Sequence, residues 1–131
     1  LAGIAARSLK EAHYHLRHAR DWLVRFGDGT DESHARAQAA LDHLMPYTDE
    51  FWADSAAETA ALTQGVGVRT TALQDDWNAL VDDALTEATL TRPAAAKGYI
   101  TQGKQGVHSE HLGFVLAEMQ SLARAHPGAS W

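Results

Sequence analysis

The sequence predicts an all-α fold, an antiparallel bundle of about four long helices, and three observations carry that expectation. Apolar residues recur at alternating steps of three and four over long windows. Glycine and proline gather at a few points between those windows, where helices would stop. No window alternates apolar and polar residues for long enough to make a strand.

Taken in order, the first helix covers residues 2–26. Its seam reads Ala2, Ala5, Leu9, Ala12, Leu16, Ala19, Leu23 and Phe26, with small residues at alternate positions where a neighbour can approach closely. Gly27, Asp28 and Gly29 should end it through left-handed backbone. Thr30, with Asp31 and Glu32 behind it, offers an N-cap hydroxyl and two first-turn carboxylates for a second helix. That helix buries Ala37, Leu41, Leu44, Met45, Phe51 and Trp52, and Pro46 should bend it. Residues 53–68 lose the period and read as a loop with at most one short helical turn. A third helix spans about 69–90, with Leu73, Trp77, Leu80, Val81, Ala84, Leu85 and Ala88 inward, until Arg92 and Pro93 stop it. Residues 91–108 form a loop, and Ser109 caps a fourth helix that ends at Pro127 and Gly128.

A chain of 131 residues has room for one domain, here 1–131 as a single helical unit. Eleven Lys and Arg against seventeen Asp and Glu leave a net charge of −6, which argues against nucleic-acid and anionic-membrane partners. The absence of cysteine excludes disulfides, thiolate nucleophiles and Fe–S or zinc-finger cages. No apolar stretch approaches the ~20 residues of a membrane span, and no export signal is visible, so a cytoplasmic location is expected. The chain begins at Leu1 inside a helical pattern, which suggests a piece of a larger bundle. Half a bundle would expose its seam, so association is expected with the other half, a second copy or a partner subunit.

Candidate chemistry lies in three places. Glu11, His15, His18 and Trp22 form a stripe beside the apolar seam of the first helix, and two histidines with a carboxylate one turn earlier suit a divalent ion. The competing reading is a helix flank that meets neighbours or solvent. No Glu-x-x-His motif of the kind that builds dinuclear bundle sites occurs, and no His-Glu-x-x-His, so neither a catalytic residue nor a metal is expected in this chain. Second, Gly103, Lys104, Gln105 and Gly106 run into a helix start at Ser109, a junction that suits an anion or serves as an ordinary cap. Third, Trp131 at the chain end suits a partner contact, since interfaces are rich in tryptophan.

The run from Lys10 through Glu11, Ala12, His13, Tyr14, His15 and Leu16 to Arg17 is one of three distinctive stretches. The others are Trp22-Leu23-Val24-Arg25-Phe26-Gly27-Asp28-Gly29-Thr30-Asp31 and the tail from Gly103 to Trp131. Together they resemble the C subunits (PaaC) of ring 1,2-phenylacetyl-CoA epoxidase, a multicomponent bacterial monooxygenase of aerobic phenylacetate breakdown. The likeness covers the whole chain but about the C-terminal half of a family member.

That resemblance implies a ferritin-like bundle that works without a metal of its own and pairs with a homologous, catalytic A subunit and with the other members of the complex. The di-iron cofactor belongs to the A subunit. In this chain His15 stands where a ferritin-like Glu-x-x-His would end, and Ala12 replaces the glutamate. Lys10, Glu11 and Tyr14 would then fill a vestigial ligand region with an ion pair or hydrogen bonds. Lys97 and Lys104 are expected near the coenzyme A phosphates. The alternative, drawn from the residues alone, is a small metal-binding bundle that uses Glu11, His15 and His18.

Overall fold

The computed structural model describes residues 1–94 and 101–130. It is all-α, as the sequence predicts. Five α-helices are present among the described residues: α1 (Ala2–Gly27), α2 (Asp31–Leu44), α3 (Ala56–Thr63), α4 (Gln74–Glu87) and α5 (His111–Ala125). Short 3₁₀ segments at Met45–Trp52, Thr70–Leu73 and Gly103–Gln105 complete the regular structure.

Helix α1 runs as the seam predicts, but its end has a different cause. Neither Gly27 nor Gly29 takes a positive φ. Gly27 is helical, and glycine is needed there for room. A Cβ on Gly27 would overlap the Ala88 carbonyl oxygen and lie 2.8 Å from the Ala88 Cβ. The entry to α2 matches expectation, with the Thr30 hydroxyl accepting from the Ser33 amide at 3.2 Å and Asp31 and Glu32 in the first turn.

Pro46 does not bend a continuing helix. The α-helix closes at Leu44, and the chain tightens into the 3₁₀ segment with proline in its opening turn, where its missing N–H leaves no helical bond unmade. Helix α3 does not show in the apolar pattern. Its eight residues are too few for a period to emerge, but Ser55 and Glu58 form a reciprocal capping box, with amide-to-side-chain distances of 3.2 and 2.7 Å.

The third helix is shorter than the 69–90 expected: a 3₁₀ turn precedes α4, which stops at Glu87. It stops there because Leu90 N–H returns to Leu85 O at 2.9 Å and Thr89 N–H to Thr86 O at 3.1 Å, with Thr89 left-handed at φ 58°. These are the bonds of a Schellman ending, reached before Arg92 and Pro93. A β-branched residue in that region is strained by about 1–3 kcal/mol, and its partners explain its persistence. The Thr89 hydroxyl donates to Gly27 O at 3.2 Å, and His34 Nδ1 donates to the same carbonyl at 2.7 Å. The ends of α1 and α4 and the start of α2 therefore meet at one carbonyl. Ser109 does not cap α5 with its hydroxyl; that end has no side-chain cap, and Ser109 supplies only its carbonyl to Leu112 at 3.2 Å.

The core is small and lies at one end of α1. Leu85, Ala88 and Leu90 are buried, with Leu23, Val24, Ala37, Leu41, Met45 and Val81 packed against them. Arg20 locks α1 to α4 through Asp83 at 2.8 Å and Glu87 at 2.6 Å. The Gln38 side chain pairs with the Thr91 backbone in both directions, at 2.8 and 2.9 Å. Beyond this junction the expected seam is uncovered. Residues 1–19 are exposed on every side, as are Val115, Leu116, Met119, Leu122 and Ala123, which recur at helical spacing along α5 with the half-buried Leu112. Leu44, Phe51, Leu73 and Leu80, placed inside by the helical period, also stand substantially exposed. Their positions fit that period, but no element within the described residues covers that side.

Candidate functional site

The vestigial ligand region lies on the uncovered length of α1. Lys10, Glu11, Ala12, Tyr14 and His15 are all exposed, and no other element bonds to any of them among the described residues. The expected ion pair is not formed: neither Lys10 nor Glu11 makes a salt bridge or side-chain hydrogen bond among the described residues. Tyr14 instead joins an aromatic ladder along one side of the helix. Its ring stacks on His18 at 6.1 Å, His18 meets Trp22 edge-on at 6.4 Å, and Trp22 lies 5.4 Å from Phe26. Arg17 and Arg25 sit over the Tyr14 and Trp22 rings at 5.8 and 5.2 Å.

As a cation site this stretch is incomplete. Among the described residues no three His, Asp or Glu side chains converge. His15 and His18 belong to one helix, and no second helix of the described residues brings a carboxylate to face them. Two imidazoles and Glu11 beside an alanine at position 12 do not fit a di-iron centre, which draws ligands from several helices.

Around Lys104 the structure does bring charged groups together. The 3₁₀ segment Met45–Trp52 delivers Glu50, and the capping box of α3 delivers Glu58. Lys104 Nζ donates to Glu58 Oε1 at 2.9 Å, to Phe51 O at 3.2 Å and to Ala53 O at 3.3 Å. An ammonium has three donors, so each one has an internal acceptor. Glu50 accepts the Gly103 amide at 3.0 Å and the hydroxyl of buried Thr101. Asp54 close by accepts both the amide and the hydroxyl of Thr70, at 3.0 and 2.8 Å. Lys97 and Trp131 lie outside the described residues.

Sequence reasoning found Lys104 but missed Glu50 and Glu58. The spacing of Ser55 and Glu58 is a capping-box signature that marks the second of them; nothing local marks Glu50.

Hydrogen bonding controls the titration of these carboxylates. The Lys104 ammonium, then the Ser55 amide and hydroxyl, hold Glu58 at about 2 against an ordinary 4.5. The Thr101 hydroxyl and Gly103 amide lower Glu50, with His108 and Lys104 adding charge. The Thr70 amide and hydroxyl lower Asp54, opposed by its partial burial and then by the like charge of Glu58. A carboxylate lowered on folding contributes stability that is complete above its unfolded value and lost as pH falls through its folded value. The thermal midpoint should therefore hold down to about pH 4.5 and fall between there and pH 2. Glu58→Gln should flatten that fall, measured by circular dichroism melts across the series.

A separate cleft of about 290 Å³ opens beside Trp52 and Trp77. The two rings meet edge-on at 5.2 Å, and Arg92 lies over Trp77 at 5.6 Å while bonding Asp82 and Asn78 at 2.7 and 2.8 Å. No helix of the described residues is long and apolar enough to cross a membrane.

The sequence model of the phenylacetic acid catabolic protein family matches residues 1–131, the full length of the chain. The chain belongs to the phenylacetic acid catabolic protein family. Within that family it is 44% identical over 131 residues to the C subunit of the 1,2-phenylacetyl-CoA epoxidase of Escherichia coli strain K12. The alignment takes in 100% of this chain and 52% of that relative, so the chain spans about half the length of the curated family member it matches.

Proposed function

We propose that this chain is part of a non-catalytic, structural subunit of a multicomponent phenylacetyl-CoA epoxidase, which pairs with a di-iron A subunit in aerobic phenylacetate catabolism. The identity to the C subunit of the Escherichia coli epoxidase, along the whole chain, carries the reading. The sequence of α1 supports it, since Ala12 stands where a Glu-x-x-His pair ending at His15 would need its glutamate. The protein contributes a surface, and the oxygen chemistry belongs to the partner.

The test is made on the full-length protein, purified alone and co-expressed with the A subunit. The lone protein, loaded with ferrous iron, should retain far less than one iron per chain and show no oxygen-dependent turnover of phenylacetyl-CoA. The co-expressed pair should purify together and turn over. Oxygen-dependent turnover by the lone protein would overturn the proposal, and stoichiometric iron without turnover would favour the metal-binding bundle built on Glu11, His15 and His18.

A further inference from the structure

We infer that residues 89–92 form a latched strap: the Thr89 hydroxyl holds its own backbone in a strained turn, and when that bond lets go the four residues leave the helices together. The inference goes beyond the proposed function and does not depend on it.

The strap starts where α4 stops. Thr89 takes left-handed backbone at φ 58°, a place in such helix ends that usually falls to glycine. The next residue is anchored. Leu90 N–H returns to Leu85 O at 2.9 Å, and the Leu90 side chain is buried with Leu85 and Ala88, the apolar contact that accompanies this ending.

What offsets the strain comes from other helices. Gly27 is the last residue of α1, so its carbonyl has no partner within that helix. The Thr89 hydroxyl donates to it at 3.2 Å and His34 Nδ1 at 2.7 Å, which fills both lone pairs. Two residues on, the Gln38 side chain donates to Thr91 O at 2.8 Å and accepts the Thr91 amide at 2.9 Å. Asp42 orients that side chain through a bond of 2.8 Å. Arg92 then bonds Asp82 and Asn78 at 2.7 and 2.8 Å and lies over the Trp77 ring at 5.6 Å. Consecutive residues are thus tied to α1, to α4, to α2 and to α4 again.

All these ties depend on one backbone angle. If Thr89 relaxed out of the left-handed region, the chain after it would change direction, and the paired bonds to Gln38 could not survive the turn. Left-handed backbone costs a β-branched residue more than it costs glycine, so opening the strap releases strain as well as breaking bonds. Loss of one tie is therefore felt by the others. Through the strap, the helix junction at Gly27 is linked to Arg92 and Trp77 in the wall of the cleft beside Trp52.

The experiment is amide hydrogen exchange, followed by nuclear magnetic resonance on the full-length protein. Thr89→Val keeps the branched shape and the strain but deletes the hydroxyl. It should speed exchange of the Thr91 amide about fivefold or more, the effect of one neutral hydrogen bond. Thr89→Gly deletes the hydroxyl and the strain together, and should leave that rate within about twofold of the parent. Gln38→Ala cuts the strap from its other side and should speed the Thr89 and Leu90 amides about fivefold. The Leu23 amide on α1 should keep its parent rate in all three. An unchanged Thr91 rate in a folded Thr89→Val protein overturns the inference, as does a Thr89→Gly protein that exchanges as fast as Thr89→Val. Equal acceleration at Leu23 also overturns it, because the whole body would then be opening. If Thr89→Val does not fold, Gln38→Ala decides: Thr89 and Leu90 amides that keep their parent rates mean that the four residues do not move as a unit.

Discussion

Gly27→Ala is expected to destabilise the protein by about 3 kcal/mol, the upper part of the usual range for overpacking a filled contact. Intrinsic propensity points the other way, since alanine is favoured over glycine inside a helix by about 1 kcal/mol. The sign of the result therefore decides which effect rules at this position. The new methyl would overlap the Ala88 carbonyl, and Ala88 is completely buried, so α1 and α4 would have to separate where they meet. Urea unfolding of wild type and variant measures the difference. Adding Ala88→Gly should recover part of the loss, because it removes one of the two atoms in the way and leaves the carbonyl. A stabilised Gly27→Ala protein would mean that the helices do not meet at this contact.

Leu85→Ala should cost about 2–5 kcal/mol, the range for truncating a buried leucine. Leu85 is 3% exposed, and it has two jobs. Its side chain packs on Leu90 and Ala88, and its carbonyl takes the Leu90 amide that ends α4. In a protein whose core is this small, that loss is a large share of the roughly 5–15 kcal/mol that holds typical domains folded. Leu80→Ala, on the same helix but half exposed, is the matched control and should cost under about 1 kcal/mol. Equal effects at the two positions would place the core elsewhere.

Much of this fold is legible in the residues, and what is not shares a cause. The seam of α1, the Thr30 cap and the buried side of α4 can be read because they follow from period and capping chemistry over many residues. Helix α3 escapes because eight residues carry no period, although Ser55 and Glu58 announce its start. The end of α4 comes earlier than the pattern suggests because a threonine takes a left-handed position usually given to glycine, and only its bond to Gly27, 62 residues away, makes that worthwhile. Gly27 and Gly29 mislead for a related reason: local sequence suggests a turn, whereas at Gly27 a distant neighbour demands space. At the site, Lys104 stands out in the sequence as a cation beside glycines. Its partner Glu58, and Glu50, which accepts the neighbouring Gly103 amide, come from segments about 50 residues earlier, and no spacing rule reaches that far. The seam is apolar as the pattern says, yet periodicity tells which side of a helix wants cover and is silent on what supplies it.

The carbonyl of Gly27 has a mechanical consequence. Three helices are pinned there by His34 and Thr89, and the Arg20 bridges hold α1 to α4 from there back to Arg20, so the length of α1 before Arg20 acts as a lever on this junction. At about 1.5 Å per residue, Ala2 lies roughly 27 Å beyond Arg20. A swing of about 5° would carry Ala2 by about 2 Å. Whatever grips residues 2–19 of α1 is thereby geared to one arginine, one threonine and one histidine.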